Sequence, residues 1–252
     1  MGQTDILLWT LISMRVSGFV LVNPIFGRRG IPNLVKAGLI MGLSIFLFTM
    51  PHQETIEVGS LLEYVVLLLK EFVLGYLIGF IVSLFQYIIV LAGGIIDFQM
   101  GLSMATIYDM QSNSSIALSA TILNIMFMLI FFVMDGHHAL FQLLIDLRKI
   151  VPYGTLSLSA DASAHILKLF AECTLLGVQL AFPVIALELV GEAGVGILMK
   201  TIPQINIFAV NIQTKILIGL IAIVFLIAPM GDFIKELVLN MVEQLQTVVS
   251  LM

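Results

Sequence analysis

Five ionisable residues lie within or beside long apolar runs: Arg15, Lys70, Glu71, Glu172 and Glu188. A charge in hydrocarbon is costly, so each must face protein, water or an opposite charge. Two kinds of chemistry use such residues, a pathway for ions or protons and salt bridges between subunits. No series of Asp, Glu and His runs along one helical face, which favours the salt bridges. Lys70 and Glu71 are adjacent and point about 100° apart on a helix, so they do not pair with each other across one face. Catalytic signatures are missing. His137 and His138 are neighbours and do not share a helical face, and there is no HExxH. No GxSxG occurs. Met230-Gly231-Asp232 lacks the first glycine of the GxGD pattern of intramembrane aspartyl proteases. GEAGVG (191–196) follows an apolar helix rather than a strand, and no P-loop lysine-serine follows it. Cys173 is the single cysteine; it excludes an internal disulfide and a multi-cysteine metal site, and reads as a buried, inert thiol. No enzymatic activity, cofactor or metal is expected.

Two polar stretches interrupt the apolar background. Residues 97–115, DFQMGLSMATIYDMQSNSS, hold methionines, serines, amides and two aspartates but no lysine or arginine. Residues 191–216, GEAGVGILMKTIPQINIFAVNIQTKI, hold Pro203, glycines and the amides Gln204, Asn206, Asn211 and Gln213. Amides and glycines beside apolar helices satisfy broken backbone where a segment is buried in protein or lines a cavity. A capped turn between two helices uses the same residues, and the sequence does not separate the two.

The elements that must carry these residues follow from composition. Of 252 residues, 60% are hydrophobic and 11% charged, with a mean hydropathy of +1.12. A soluble domain is about a quarter charged, so this is a membrane protein. The net charge of −5 argues against nucleic acid as a partner, which needs a basic stripe. The first residues lack a basic n-region and a small-residue cleavage pattern, so the N-terminus is expected to be retained. Six apolar runs, 5–26, 36–50, 61–96, 116–134, 165–190 and 205–230, are candidate spans; the second is short. The third would reach roughly 54 Å as a helix. It must tilt, project beyond the hydrocarbon or break near Gly93-Gly94. Residues 138–151 are amphipathic and too short to span, which suits an interface or a partner. After Pro229, Phe233, Leu237, Met241, Leu245 and Val248 recur at helical spacing and predict an amphipathic docking tail. GLIMG (38–42) and GYLIG (75–79) are small-xxx-small patterns that allow close helix packing. Basic residues in 27–36 and acids in 51–59 place the first segment in the cytoplasm, the second outside, 97–115 inside and 135–138 outside. Aromatic belts are weak, as expected of a surface covered largely by protein.

Three pieces carry a family resemblance. RVSGFVLVNPIFGRRGIPNLVKAGL (Arg15–Leu39) has an arginine in the first helix, then a proline, a glycine loop, a second proline and a basic residue. GYLIGFIVSLFQYIIVLAGGIIDFQMGLSMATIYD (Gly75–Asp109) is a glycine-rich helix leading to a Gln-x-Gly turn and an aspartate. AFPVIALELVGEAGVGILMKTIPQINIFAVNIQTKILIGL (Ala181–Leu220) joins a proline-containing helix to a Pro-Gln-x-Asn-x-Phe turn and a lysine-led helix start. In this order the pieces resemble the FliR family, called SctT in injectisomes, of export-gate subunits in flagellar and type III secretion. Two departures stand out. Asp109 is followed by Met110 where many members have proline, and Asn211-Ile212-Gln213 precedes Thr214-Lys215 where a proline often precedes the lysine.

The resemblance implies an all-α fold, with residues 1–160 similar to FliP and carrying a plug loop, and residues 161–252 a FliQ-like hairpin with the amphipathic tail. It implies a single copy in a helical assembly with FliP-like and FliQ-like subunits. FlhB-like and FlhA-like export proteins and rod or adaptor proteins are further partners, and unfolded proteins are the substrates. The expected location is the bacterial inner membrane at the flagellar basal body, partly projecting to the periplasmic side, so the hydropathy topology is not literal. By position, the plug falls at about Leu102–Ser115, with Met100, Gly101, Leu102, Met104, Tyr108, Asp109, Met110, Gln111, Ser112 and Asn113 as its residues. Methionines re-pack easily in an irregular pore. Subunit contacts are expected at Arg15, Pro24, Lys70, Glu71, Glu172, Glu188, Pro203, Gln204, Asn206, Phe208 and Lys215.

Overall fold

The computed structural model describes residues 3–51, 58–102, 117–156, 159–201 and 207–252. Among these residues every regular element is a helix: α1 (Gln3–Val22), α2 (Asn33–Thr49), α3 (Leu61–Gln99), α4 (Leu118–Val133), α5 (Gly136–Ile150), α6 (Ala160–Thr201) and α7 (Ile207–Ser250). The all-α expectation is met. Four described helices, α1, α3, α6 and α7, are long and apolar enough to cross a membrane, or five spans if α4 and α5 count as one. The apolar runs at 36–50 and 116–134 become helices of 17 and 16 residues, each short of the length of a span.

The helices run further than the punctuation in the sequence indicates. Gly93-Gly94 does not break α3, which continues for 39 residues to Gln99, about 58 Å. GEAGVG and the residues to Thr201 are the last turns of α6, not irregular backbone. The tail is not a separate helix, because α7 passes through Pro229. Pro183 lies inside α6 in the same way. A proline removes one backbone hydrogen bond, and an apolar helix tolerates this where neighbouring groups satisfy the freed carbonyl.

The chain forms two compact units. The first holds residues Met1–Phe85, Asp135–Leu169 and Leu239–Met252. Here α1 and the first part of α3 run parallel. The Thr10 hydroxyl bonds that of Tyr64 at 2.8 Å, Arg15 meets Glu71, and Ser83 Oγ donates to the Val22 carbonyl at 3.0 Å, so positions advance together. The helix faces explain the seam. Leu8, Leu11, Ile12, Val16 and Phe19 are buried on α1, and Leu74, Ile78, Val82 and Phe85 on α3. Glycines bring the backbones together: a Cβ at Gly75 would sit 1.9 Å from the Arg15 carbonyl oxygen, and one at Gly18 2.3 Å from that of Phe72. GYLIG is therefore a close-packing motif. GLIMG is not one among the described residues, since a Cβ at Gly38 or Gly42 would meet nothing within 4 Å there.

Helix α5 buries Gly136, Leu140, Leu143, Leu144 and Leu147, a three- and four-residue stripe whose leucines each contribute about 1.5–3 kcal/mol. Phe141 stacks on Phe26 at 5.2 Å. The amphipathic 138–151 segment thus packs within its own unit rather than on an interface. Met241, Leu245, Val248 and Val249 at the end of α7 are likewise buried. Ser159 Oγ donates to the Leu251 carbonyl at 2.8 Å, and His165 pairs with Gln244 at 2.9 Å.

The second unit comprises Gln86–Met134 and Phe170–Val238. Helix α4 buries Ala120, Leu123, Phe127 and Phe131 along one stripe. A Cβ at Gly93 would lie 2.2 Å from the Ala120 backbone, so the second glycine-rich point is a helix crossing rather than a break. Gln86 Nε2 donates to Asn124 Oδ1 at 2.9 Å across the same pair of helices.

Candidate functional site

Three polar clusters stand out, one in the first unit and two in the second. The first is centred on Arg15, 1% exposed, whose Nε donates to Glu71 Oε2 at 2.5 Å. Its Nη1 donates to the Val151 carbonyl at 3.1 Å, and the guanidinium lies 4.2 Å over the Tyr153 ring. Glu71 Oε1 accepts the Gly154 amide at 2.7 Å, where Gly154 has φ +86°. Both charges are fully inside the unit, so pairing, not solvent, holds them. Helices α1 and α3 and the turn after α5 meet on these two residues.

The second cluster joins the end of α3 to the start of α4, the described residues on either side of 103–116. Helix α3 ends in a Schellman cap. Gly101, at φ +76°, donates its amide to the Phe98 carbonyl at 3.1 Å, and Leu102 donates to Asp97 at 3.0 Å. The Gln-x-Gly turn of the sequence is this cap, with glycine supplying the left-handed residue. Met100 is fully buried and fills the space over Gly219, where a Cβ would meet its side chain at 2.4 Å. The Asp97 carboxylate, 4% exposed, accepts the Ser119 amide at 3.1 Å and also the Ser119 hydroxyl. Helix α4 has no side-chain cap of its own at Ala117, so Asp97 supplies one from α3, at the helix end that favours an anion. The residues flanking 103–116 are therefore joined by a buried carboxylate. Asp97→Ala should leave the α4 amides unsatisfied and cost about 1–3 kcal/mol. Hydrogen exchange should speed up at residues 118–121, and unchanged protection there would rule out the capping role.

The third cluster lies between α6 and α7. Lys215 pairs with Glu192. Glu188, one turn before Glu192, is completely buried, and neither carboxylate oxygen has a hydrogen-bond partner among the described residues. The two helices approach closely, with a Cβ at Gly191 meeting Ile218 Cδ1 at 2.4 Å.

Among the sequence candidates, Met100, Gly101 and Leu102 form the α3 cap, whereas Met104, Tyr108, Asp109, Met110, Gln111, Ser112 and Asn113 lie outside the described residues. Pro203, Gln204 and Asn206 also lie outside them, and Phe208 falls in the first turn of α7. Arg15 and Glu71 pair with each other inside the chain, and the buried Arg15 Nη2 has no hydrogen-bond partner among the described residues. Pro24 sits in the turn after α1, where Asn23 Oδ1 accepts the Ile25 amide at 2.9 Å. Lys70 and Glu172 are exposed. Sequence reasoning missed Asp97, Ser119 and Tyr153. For Asp97 the signal was present, a lone acid just before the Gln-x-Gly turn. Tyr153 lies far along the chain from Arg15, and no local pattern ties them.

Comparison with known proteins gives these clusters a context. A family model described as "Bacterial export proteins, family 1" matches residues 6–241. A flagellar biosynthetic protein FliR of Bacillus subtilis (strain 168) is 25% identical over 249 residues, 96% of this chain and 94% of the relative. FliR of Escherichia coli (strain K12) is 29% identical over 236 residues, 92% of this chain and 89% of the relative. FliR of Pectobacterium carotovorum subsp. carotovorum is 29% identical over 226 residues, covering 89% and 85%. With the model spanning nearly all the helices, including all three polar clusters, the chain belongs to family 1 of the bacterial export proteins.

Proposed function

We propose that this chain is a channel subunit of the flagellar type III protein export gate, and that it helps form and close the conduit for unfolded substrates. The match to the export family over residues 6–241 carries the reading. The surface supports it. On α6 and α7, Phe182, Val190, Ile197, Val224 and Phe225 are each more than 60% exposed, an apolar surface suited to lipid and to neighbouring hydrophobic subunits. Those neighbours are FliP-like and FliQ-like subunits, with FlhB-like and FlhA-like proteins and rod or adaptor proteins further out, in the inner membrane at the basal body and partly on its periplasmic side. Residues 1–160 act as the FliP-like part and 161–252 as the FliQ-like hairpin. The role is structural, with no catalytic step.

The polar stretch after Gly101 is the plug. Its methionines, serines and amides suit a constriction that excludes ions when shut and tolerates water when open. The Schellman cap and the Asp97–Ser119 bond supply firm ends to which such a plug can be anchored. Native mass spectrometry of the tagged chain, co-expressed with its neighbouring genes, should show one copy with several copies of two smaller hydrophobic subunits. A monomer or symmetric homo-oligomer would overturn the gate reading in favour of a stand-alone transporter. Removing residues 104–113 from the intact complex should raise ion leakage across the membrane. Unchanged permeability would sink the plug.

A further inference from the structure

The turn that opens α5 brings together three side chains of metal-ligating type. Asp135, His137 and His138 each offer one ligand atom, and the three atoms lie within 4.8 Å of one another. We propose that this Asp-x-His-His turn binds a divalent transition-metal ion of the zinc type.

Asp135 is the starting point. It is the only non-glycine with a positive φ among the described residues, at φ 56° and ψ 27°. It occupies the N-cap position of α5, where an aspartate ordinarily accepts an amide of the first turn. Here it makes no such bond. The left-handed backbone turns the carboxylate toward His138 instead, with Oδ1 3.1 Å from Nδ1. That separation is close to the edge of a coordination tetrahedron. Zn–N and Zn–O bonds of about 2.0–2.1 Å put two ligand atoms roughly 3.3 Å apart. A metal can therefore replace the shared proton without moving either residue far. His137 completes the set. Its ring centroid is 4.1 Å from that of His138, tilted by 35°. The positive end of the helix dipole slightly opposes a metal ion at this turn, and the Asp135 carboxylate offsets it. Adjacent residues point about 100° apart on a helix, yet at this first turn the two imidazole rings lie side by side.

Asp135 and His138 are exposed and His137 is half-buried, so an ion can enter from solvent. Two nitrogens and one oxygen suit zinc, nickel or copper rather than calcium or magnesium. Three protein ligands leave a fourth position for water or for a donor from a neighbouring subunit.

The test uses the full chain in its detergent-solubilised complex, purified on a tag without histidine and stripped with a chelator. Zinc is then titrated in competition with a fluorescent indicator, and bound metal is counted by elemental analysis. The expected result is about one zinc per copy of this chain with a Kd of about 1–10 µM. His137→Ala and His138→Ala should each weaken binding about 10–100-fold. Asp135→Asn, which keeps a residue suited to the left-handed backbone, should weaken it too. His165→Ala, on α6, should leave it unchanged. Wild-type complex that takes up no stoichiometric zinc would overturn the proposal. So would a triple Asp135→Asn, His137→Ala, His138→Ala variant that binds as well as wild type, which would leave Asp135–His138 as a plain hydrogen bond.

Discussion

Glu71→Ala should destabilise the chain by about 3–5 kcal/mol, because it strands the buried Arg15 charge. Arg15 would keep only the Val151 carbonyl and the Tyr153 ring, and neither carries a compensating charge. The Gly154 amide would lose its acceptor as well. Against the total stability of an ordinary domain, about 5–15 kcal/mol, this is enough to deplete the protein from membranes. Immunoblots of membrane fractions and the thermal resistance of the purified complex should both fall. Replacing both partners by apolar residues of similar size, Arg15→Met with Glu71→Leu, should restore most of the stability, as replacing a whole buried pair often does. A single Glu71→Ala as stable as wild type would show that the pair contributes nothing to the fold.

Gly75→Val should be nearly as severe, and its contrast with Gly42→Ala is the sharper test. Any side chain at Gly75 drives a carbon into the Arg15 carbonyl oxygen, 1.9 Å away. Both groups are backbone or attached directly to it, so relief requires the helices to part. Overpacking of this kind costs about 1–3 kcal/mol or more. At Gly79 the nearest atom is 3.0 Å away, and alanine there should be milder. A Cβ at Gly42 meets nothing among the described residues, so Gly42→Ala should be neutral or stabilise by up to about 1 kcal/mol through helix propensity. Melting curves of the complex carrying each variant would rank them. Equal damage at Gly42 and Gly75 would mean that both motifs pack tightly, the former against another subunit.

The comparison of those two motifs shows how far the sequence could be read. GLIMG and GYLIG have the same spacing and apolar neighbours, yet one is a helix seam and the other faces outward. A local pattern states what a helix can do, not which helix arrives opposite it. Helices themselves were legible, since the apolar runs and the tail stripe from Leu237 to Val248 demand them. Their ends were less so. Gly93-Gly94 offered one possible break, and GEAGVG and Pro229 read as boundaries, yet the helices continue through each. In a long apolar helix the backbone has no better partner than itself, so local breaking tendencies lose. The cluster at Arg15 was half legible. The cost of a charge in an oily run announced that a partner must exist. Its identity depended on α1 and α3 being parallel, which brings residues 56 apart in sequence together. Asp97 was visible only as a letter beside a turn, because capping a helix that starts beyond the next polar stretch is a long-range act.

The Arg15–Glu71 pair also sets a schedule for biosynthesis. Arg15 leaves the ribosome in the first apolar helix, and its acid follows 56 residues later. At about 5–20 residues per second, the wait is roughly 3–11 s. The Val151 carbonyl, 136 residues downstream, comes later still. During that interval the first helix carries an unneutralised charge that makes its release into lipid costly, by about 2.5–3.5 kcal/mol on insertion scales. We predict that the insertion machinery holds α1 until α3 is made, so that the two enter the bilayer as a unit. Nascent chains arrested before Glu71 should stay crosslinked to the translocon, while chains arrested well beyond it should be free.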